Sequence, residues 1–317
     1  NCCRVAHRKS CTNGASDSMK ALPWPPEAAR YPGDDVRPYM APGSNIALDF
    51  HGDPATAGLA VFSDGNHHMA LEAALQAFVA ENPEVGDVFY TTTPPAPLVD
   101  ALRGDGLLLG NLRISRKPDV FISPTNILES LADAGLVTRH VPFAESRGNV
   151  LLVRKGNPKS IRTVADLLSD EVTLTCSNPV NERASFEVYA EAKRCLARNS
   201  GVDEEALIDK QTTAGPRTVH SQVIHHREVP TLIGTGPADA AIIYYHLALR
   251  YTRIFPDHFD IVDVAGVLDG SNPGDPTTRY HVGLVAGAGS WGSVFLDFLR
   301  GDIAQSAYES HGLKGVC

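Results

Sequence analysis

The sequence predicts an α/β protein built as two lobes, and three observations carry that prediction. The chain has 317 residues, 43% of them hydrophobic, which suffices for two lobes of ordinary size, each with its own core. From residue 58 onward, short apolar runs alternate with amphipathic stretches, the pattern of a parallel sheet with helical crossovers. A second α/β run begins near residue 149.

Taken in order, residues 58–62 read as a short buried strand, 63–66 as a turn, and 67–81 as a helix with Leu71, Ala74, Leu75, Phe78 and Val79 on one face. Strands at 87–91 and 119–122 follow, each with a helix after it, at 98–103 and 127–134. Gly135 stops the second of these. The second run offers strands at 149–153, 172–176, 240–244, 259–263 and 280–285. Its helices fall at 163–168, 183–198 and 218–233, the last interrupted by Pro230. Helices at 293–300 and 303–311 close the chain and are read as returning to the first lobe. Residues 1–56 differ: Pro23, Pro25, Pro26, Pro32, Pro38 and Pro42 mark an irregular Pro-rich extension.

Charge and composition exclude several classes. The net charge of −9 argues against broad nucleic-acid or anionic-membrane binding, although a local site can still oppose the global sign. The longest nearly apolar stretch, 238–249, contains Asp239 and His246, so no membrane insertion is expected. No signal-peptide pattern stands at the N-terminus, and a mature soluble chain is expected. Residues 287–292 match G-x-G-x-x-G, but only 25 residues follow, too few for a nucleotide fold, so a structural turn is the better reading. No Walker sequence, G-x-S-x-G elbow or H-E-x-x-H occurs. The six cysteines are even in number and contain no C-x-x-C, which suggests an oxidising compartment and disulfides rather than zinc.

Three loops follow strand ends in the first unit, at 63–68, 91–95 and 123–126, where an open parallel sheet places its ligand crevice. Asn66, Thr92, Thr93 and Ser123 supply neutral donors there, and the helix start at His67–His68 supplies backbone N–H groups that favour an anion. Each residue taken singly also fits a turn or cap role. In the second unit, Arg227 offers a fork for a carboxylate or oxyanion, with His226 beside it as a donor. Arg183 serves either the ligand or Glu187 one turn along. Tyr244, at a strand end, fits core and ligand contact equally.

The order of these motifs resembles the periplasmic molybdate/tungstate-binding proteins of ABC transporters, within the type II periplasmic binding-protein fold. The matching stretches are 59–62 with 70–75, 118–123, 149–158 with 165–167, 238–244, and 280–285 with 295–299 and 311–313. The resemblance covers about residues 57–313. It implies a first lobe of 57–143 plus 288–317, a second lobe of 144–287, and hinges near 144–148 and 286–290. It also implies a periplasmic or extracellular location, an ABC permease partner, a monomer without cofactor, and a small anion between the lobes. Of the family's ligand positions, only the strand-end tyrosine is kept, at Tyr244; the first-loop hydroxyl falls on Asn66 and the second-loop Ser-Gly near Thr93–Pro94.

The histidines and Arg227 exceed what that family requires, so two rival readings stand beside anion capture. One is a metal receptor using His67, His68, His225, His226 and Glu228. The other is an enzyme with His226 and Glu228 as acid and base. Cys176 ends a strand and Cys195 lies on the helix expected beside it, so a Cys176–Cys195 bridge is predicted. Cys2, Cys3, Cys11 and Cys317 are left to pair among themselves.

Overall fold

The computed structural model describes residues 49–109, 112–180, 182–212, 215, 217–222, 225–268 and 276–316. Nearly all of the Pro-rich extension, with Cys2, Cys3, Cys11 and also Cys317, lies outside these residues.

The strands are β1 (Phe50–His51), β2 (Leu59–Ser63), β3 (Val88–Thr91), β4 (Leu107–Leu109), β5 (Leu112–Ile114), β6 (Val120–Pro124), β7 (Val137–Ser146), β8 (Asn149–Arg154), β9 (Leu174–Cys176), β10 (Thr218–His220), β11 (Ala240–Tyr244), β12 (Phe259–Val262), β13 (Arg279–Val285) and β14 (Leu313–Gly315). The helices are α1 (His68–Glu81), α2 (Pro95–Arg103), α3 (Thr125–Asp133), α4 (Arg183–Ser200), α5 (Glu204–Thr212), α6 (His225–Gly234), α7 (Tyr245–Ile254), α8 (Ser290–Leu299) and α9 (Asp302–Ser310).

Two sheets result. Lobe 1 holds a seven-stranded sheet in the order β1-β3-β2-β6-β13-β7-β14, and lobe 2 a five-stranded sheet in the order β10-β9-β11-β8-β12. In lobe 1, β3, β2 and β6 are parallel, as the alternation of strands and helices predicts. Their side chains serve two cores. Leu59, Val61, Val120 and Ile122 pack with α1, α8 and α9, whereas Ala60, Phe62 and Phe121 pack against α2 and α3. Burial on both faces is why these strands read as unbroken apolar runs. Lobe 2 has a separate core around Leu151, Leu152, Ile242, Ile243 and Leu247.

The chain crosses between the lobes twice. The first crossing is Arg147–Gly148, between β7 and β8. The second runs between β12 and β13 and not through 286–290, because β13 pairs with β6 and β7 inside the lobe 1 sheet. Residues 280–285, expected in lobe 2, therefore belong to lobe 1. The two crossings are bonded to each other: the Ser146 N–H donates to the Thr278 carbonyl, and the Thr278 N–H donates to Ser146 Oγ, both at 2.8 Å.

Other differences have local causes. Residues 218–220 form β10 beside β9 instead of opening a helix, and α6 starts only at His225. Phe50–His51, within the segment read as irregular, pairs with β3 as a sheet edge. The glycines at 287–292 form the β13–α8 turn: Gly287 has φ +80°, the Gly289 N–H donates to Asp119 Oδ1 at 2.7 Å, and Gly292 abuts Leu284 and Asp119.

The predicted Cys176–Cys195 bridge is absent; both cysteines are free. Lys193 turns into the lobe 2 core, and its Nζ donates to Cys176 Sγ at 3.2 Å. Two residues along the same helix, about 200° round, Cys195 faces Glu191 and Arg198 instead. Among the described residues, no helix is long and apolar enough to cross a membrane.

Candidate functional site: the interlobe cleft

The loops after β2, β3 and β6 open towards lobe 2. They are tied together at their base, where the Ser63 N–H donates to Thr91 Oγ1 at 3.1 Å. Gly65 is packed so closely that an added Cβ would strike the Thr92 carbonyl and lie 2.6 Å from His226 Cε1 of lobe 2. Only glycine allows that approach.

A continuous line of rings crosses from one lobe to the other. Tyr189 on α4 lies 5.3 Å from Tyr244, Tyr244 stacks on His246 at 5.1 Å, and His246 meets Tyr280 of lobe 1 at 6.5 Å. Tyr280 then contacts His67 at 4.7 Å, and His67 Nε2 lies 3.8 Å from Asp64 Oδ1. Every side chain in this line is buried. Along it and at the adjoining loop ends are polar atoms with no hydrogen-bond partner among the described residues: Asp64 Oδ2, Ser123 Oγ, Tyr280 OH and His225 Nε2. Buried polar atoms are normally paired, so a concentration of orphans at one interlobe face marks a place built for a ligand or ordered water.

Burial sets the charge states. It pushes the His67, His225 and His246 imidazoles down to about 3, so all three are neutral at pH 7. His226 is held well below its ordinary value by burial and by Arg227. Burial pushes the Asp64 carboxyl up to about 7, against the pull of its hydrogen bond from the Asn66 N–H.

On one flank an ion pair joins the lobes. Arg227 Nη2 of α6 lies 2.8 Å from Asp49 Oδ1, and both side chains are buried. Asp49 is anchored in lobe 1: its carbonyl accepts the Thr92 N–H at 2.9 Å, and Thr92 Oγ1 donates to Asp49 Oδ1 at 3.4 Å. Burial pushes the Asp49 carboxyl up to about 6, with Arg227 opposing.

The predicted residues divide accordingly. Ser123, Tyr244, His226 and Arg227 lie at the interlobe face, as does the half-buried Asn66, whose backbone adjoins His246. Tyr244 OH is bonded to Thr278 Oγ1 at 2.7 Å, beside the hinge. Thr92 supports Asp49. Thr93 borders a separate cavity of about 380 Å³ lined by lobe 1 residues alone, among them Phe50, Asp100 and Arg113. Arg183 is exposed beside Glu187 at 3.9 Å.

The histidines do not converge. His67 turns into the lobe 1 core, bonded to Tyr308 OH at 2.9 Å, while His225 packs on Tyr189 in lobe 2. Of the predicted metal ligands, His68 and His226 meet across the lobes, at 5.6 Å between centroids. Glu228 accepts the Gln222 N–H instead of joining them. Among the described residues, no three His, Cys, Asp or Glu side chains form a metal site, so the predicted metal cluster is not assembled. Sequence reasoning missed Asp49, Asp64, Tyr189, His246 and Tyr280. Tyr280 and Asp64 sit at strand ends, and His246 begins the helix after Tyr244, so strand-end position was the available signal.

Two helix-flanked sheets, a doubly bonded crossing and opposed polar faces define the two-lobed periplasmic binding-protein architecture. A family model for bacterial extracellular solute-binding proteins matches residues 59–314, and the chain belongs to that family. It is similar to the molybdate-binding protein ModA of Mycobacterium tuberculosis, with 26% identity over 212 residues, 65% of this chain and 74% of that protein. Among solved structures, the Azotobacter vinelandii periplasmic molybdate-binding protein matches with a TM-score of 0.57 at 13% identity, over 82% of this chain and 99% of that one. L-phospholactate-bound PEB3 matches with a TM-score of 0.57 at 15% identity, over 81% and 99%. The chain is thus a solute-binding protein in a family of bacterial extracellular proteins.

Proposed function

We propose that this protein captures a small anion, a tetrahedral oxyanion or small carboxylate, between its lobes outside the cytoplasm and delivers it to an ABC permease. The observation that carries this reading is the set of buried, unpartnered polar atoms contributed by both lobes, with Ser123 Oγ and Tyr280 OH on one side and His225 Nε2 on the other. These are neutral groups, and neutral donors can hold an anion in a dry site without a net counter-charge. The candidate contacts are Asn66, Ser123, Tyr244, His246 and Tyr280, closed over by His226 and Arg227. Against acid–base catalysis by His226 and Glu228 stands Glu228 Oε2, which accepts the Gln222 N–H.

The test is thermal unfolding with molybdate, tungstate, sulfate, phosphate, citrate and lactate. A ligand at one hundred times its Kd stabilises the fold by about 2.7 kcal/mol, which raises Tm by several degrees. No shift with any anion at millimolar concentration refutes the reading.

A further inference from the structure

His140 and His281 form a pair that anion capture between the lobes does not use. They stand on neighbouring strands, β7 and β13, on the face of the lobe 1 sheet that α3 covers. Their Nδ1 atoms are 2.8 Å apart and their ring centroids 5.0 Å apart. His140 lies opposite Gly283, two residues beyond His281 on β13. Gly283 lets α3 come close: an added Cβ there would lie 2.5 Å from Leu128 Cδ1 and 3.5 Å from His140 Cβ. The next residue of α3, Glu129, is thereby brought within electrostatic reach of His281, whose charged form it favours. The neighbouring cation, Arg279, is held by Glu145, with Nε and Nη2 donating to Oε2 at 3.1 and 3.0 Å.

Two ring nitrogens this close cannot turn lone pairs on each other, so one ring donates its Nδ1–H and the other accepts. A divalent metal can take the place of that hydrogen. With metal–nitrogen bonds of about 2.0 Å, adjacent ligand atoms stand about 2.8 Å apart at a square-planar centre and about 3.3 Å apart at a tetrahedral one. The backbone therefore already holds the nitrogens at the spacing of a cis pair. What must change is the tilt of the rings and the tautomer of the donor, whose hydrogen passes from Nδ1 to Nε2 through water. Burial, with His140 and Arg279, holds the His281 imidazole below its ordinary value, so it is neutral at pH 7, as a ligand must be. Both rings are only half-buried, which leaves the other coordination positions open to water.

We infer that His140 and His281 together bind a divalent transition metal, copper(II) ahead of nickel(II) and zinc(II), with water in the remaining positions and Glu129 as an outlying counter-charge. The order follows from the ligands. Imidazole nitrogen suits these three metals, affinity peaks at copper, and a cis nitrogen pair completed by oxygen suits a tetragonal centre. Magnesium, which takes oxygen ligands, has no place there. The metal would bridge the two strands that lead to the lobe crossing, since β7 ends at Ser146 and β13 begins beside Thr278.

The experiment is calorimetric titration of the intact chain, its accessible thiols capped, with copper(II), nickel(II), zinc(II) and magnesium(II) at pH 7.5. The parent chain should bind copper most tightly and magnesium not at all. His140→Ala and His281→Ala should each weaken one copper site at least about tenfold, since loss of even an outer-shell partner costs about 10–100-fold. Glu129→Gln should weaken the same site about two- to fivefold, as loss of an exposed charge partner does. Pulsed electron paramagnetic resonance should show this copper coupled to two imidazole nitrogens in the parent and to one in either histidine variant. Should an alanine variant fold poorly, His281→Gln, which keeps a polar side chain at the position, takes its place with the same expected loss. Copper bound by the histidine variants in the same number and with parental affinity overturns the site, as does a parent chain that binds no copper. No anion enters the experiment, so either failure leaves the interlobe reading standing.

Discussion

The interlobe ion pair lets closure be tested by substitution. Asp49 and Arg227 meet at 2.8 Å with both side chains buried. Ionised Asp49 is costly there: its carboxyl moves from 3.8 to about 6 even with Arg227 beside it, equivalent to about 3 kcal/mol. The pair therefore adds little net stability, but it makes each partner dependent on the other. Asp49→Asn strands a buried guanidinium, for which about 3–5 kcal/mol is typical. Relief of the cost of ionising Asp49 offsets most of this and leaves up to about 2 kcal/mol against the closed form. If ligand binds the closed form, affinity falls by up to about thirtyfold. Arg227→Met behaves differently. Its unpaired Asp49 takes up a proton, so closure survives at pH 5.5 and weakens as pH rises. The double variant removes both charges and should recover most of the affinity. Titration of the tightest-binding anion, with small-angle scattering to follow closure, completes the cycle. A coupling of at least about 1.5 kcal/mol is expected, and additivity within about 0.5 kcal/mol would refute the latch.

Two further outcomes follow from burial. His67, His68, His225, His226 and His246 have folded-state values below 6.5, so the stability they contribute is present above pH 6.5 and lost as pH falls below it. Asp49, Asp64 and Glu182 are raised and act in the opposite sense, favouring the fold as pH falls, but the imidazoles outnumber them, so stability is lost on balance below pH 6. Urea midpoints at pH 7, 6 and 5 should therefore decline, and a constant midpoint would contradict the neutral imidazoles. Thiol titration under native, non-reducing conditions should label the part-exposed Cys195 well before the buried Cys176. A disulfide joining them would appear as two thiols missing until reduction.

Much of the fold was legible because the central strands are buried on both faces. Leu59–Ser63 and Ala240–Tyr244 are apolar runs, and their residue type alone marks them. β7 was not legible: Thr138 and Arg139 are exposed, Pro142 breaks the pattern, and its register with β13 shifts near Tyr280 and His281. Once β7 is missed, β13 has no visible neighbour in lobe 1, and the second hinge is misplaced. The strand-end rule pointed to Ser123 and Tyr244. It could not tell His67 from His68, because adjacent residues at a helix start diverge and only packing decides which faces the core. Asp49 and Asp64 were hidden for another reason. A carboxylate is ordinarily a surface residue in an acidic chain, and its burial here depends on contacts distant in sequence, with Arg227 and with Tyr280.

The most direct measurement is the anion affinity of two variants set side by side. Tyr280→Phe removes one unpartnered hydroxyl from the interlobe line, whereas Arg183→Ala removes an exposed charge outside it. Isothermal titration should give one anion per parent chain, at least tenfold weaker binding for Tyr280→Phe, and parental affinity for Arg183→Ala. Unchanged binding by Tyr280→Phe with loss in Arg183→Ala would contradict the interlobe site.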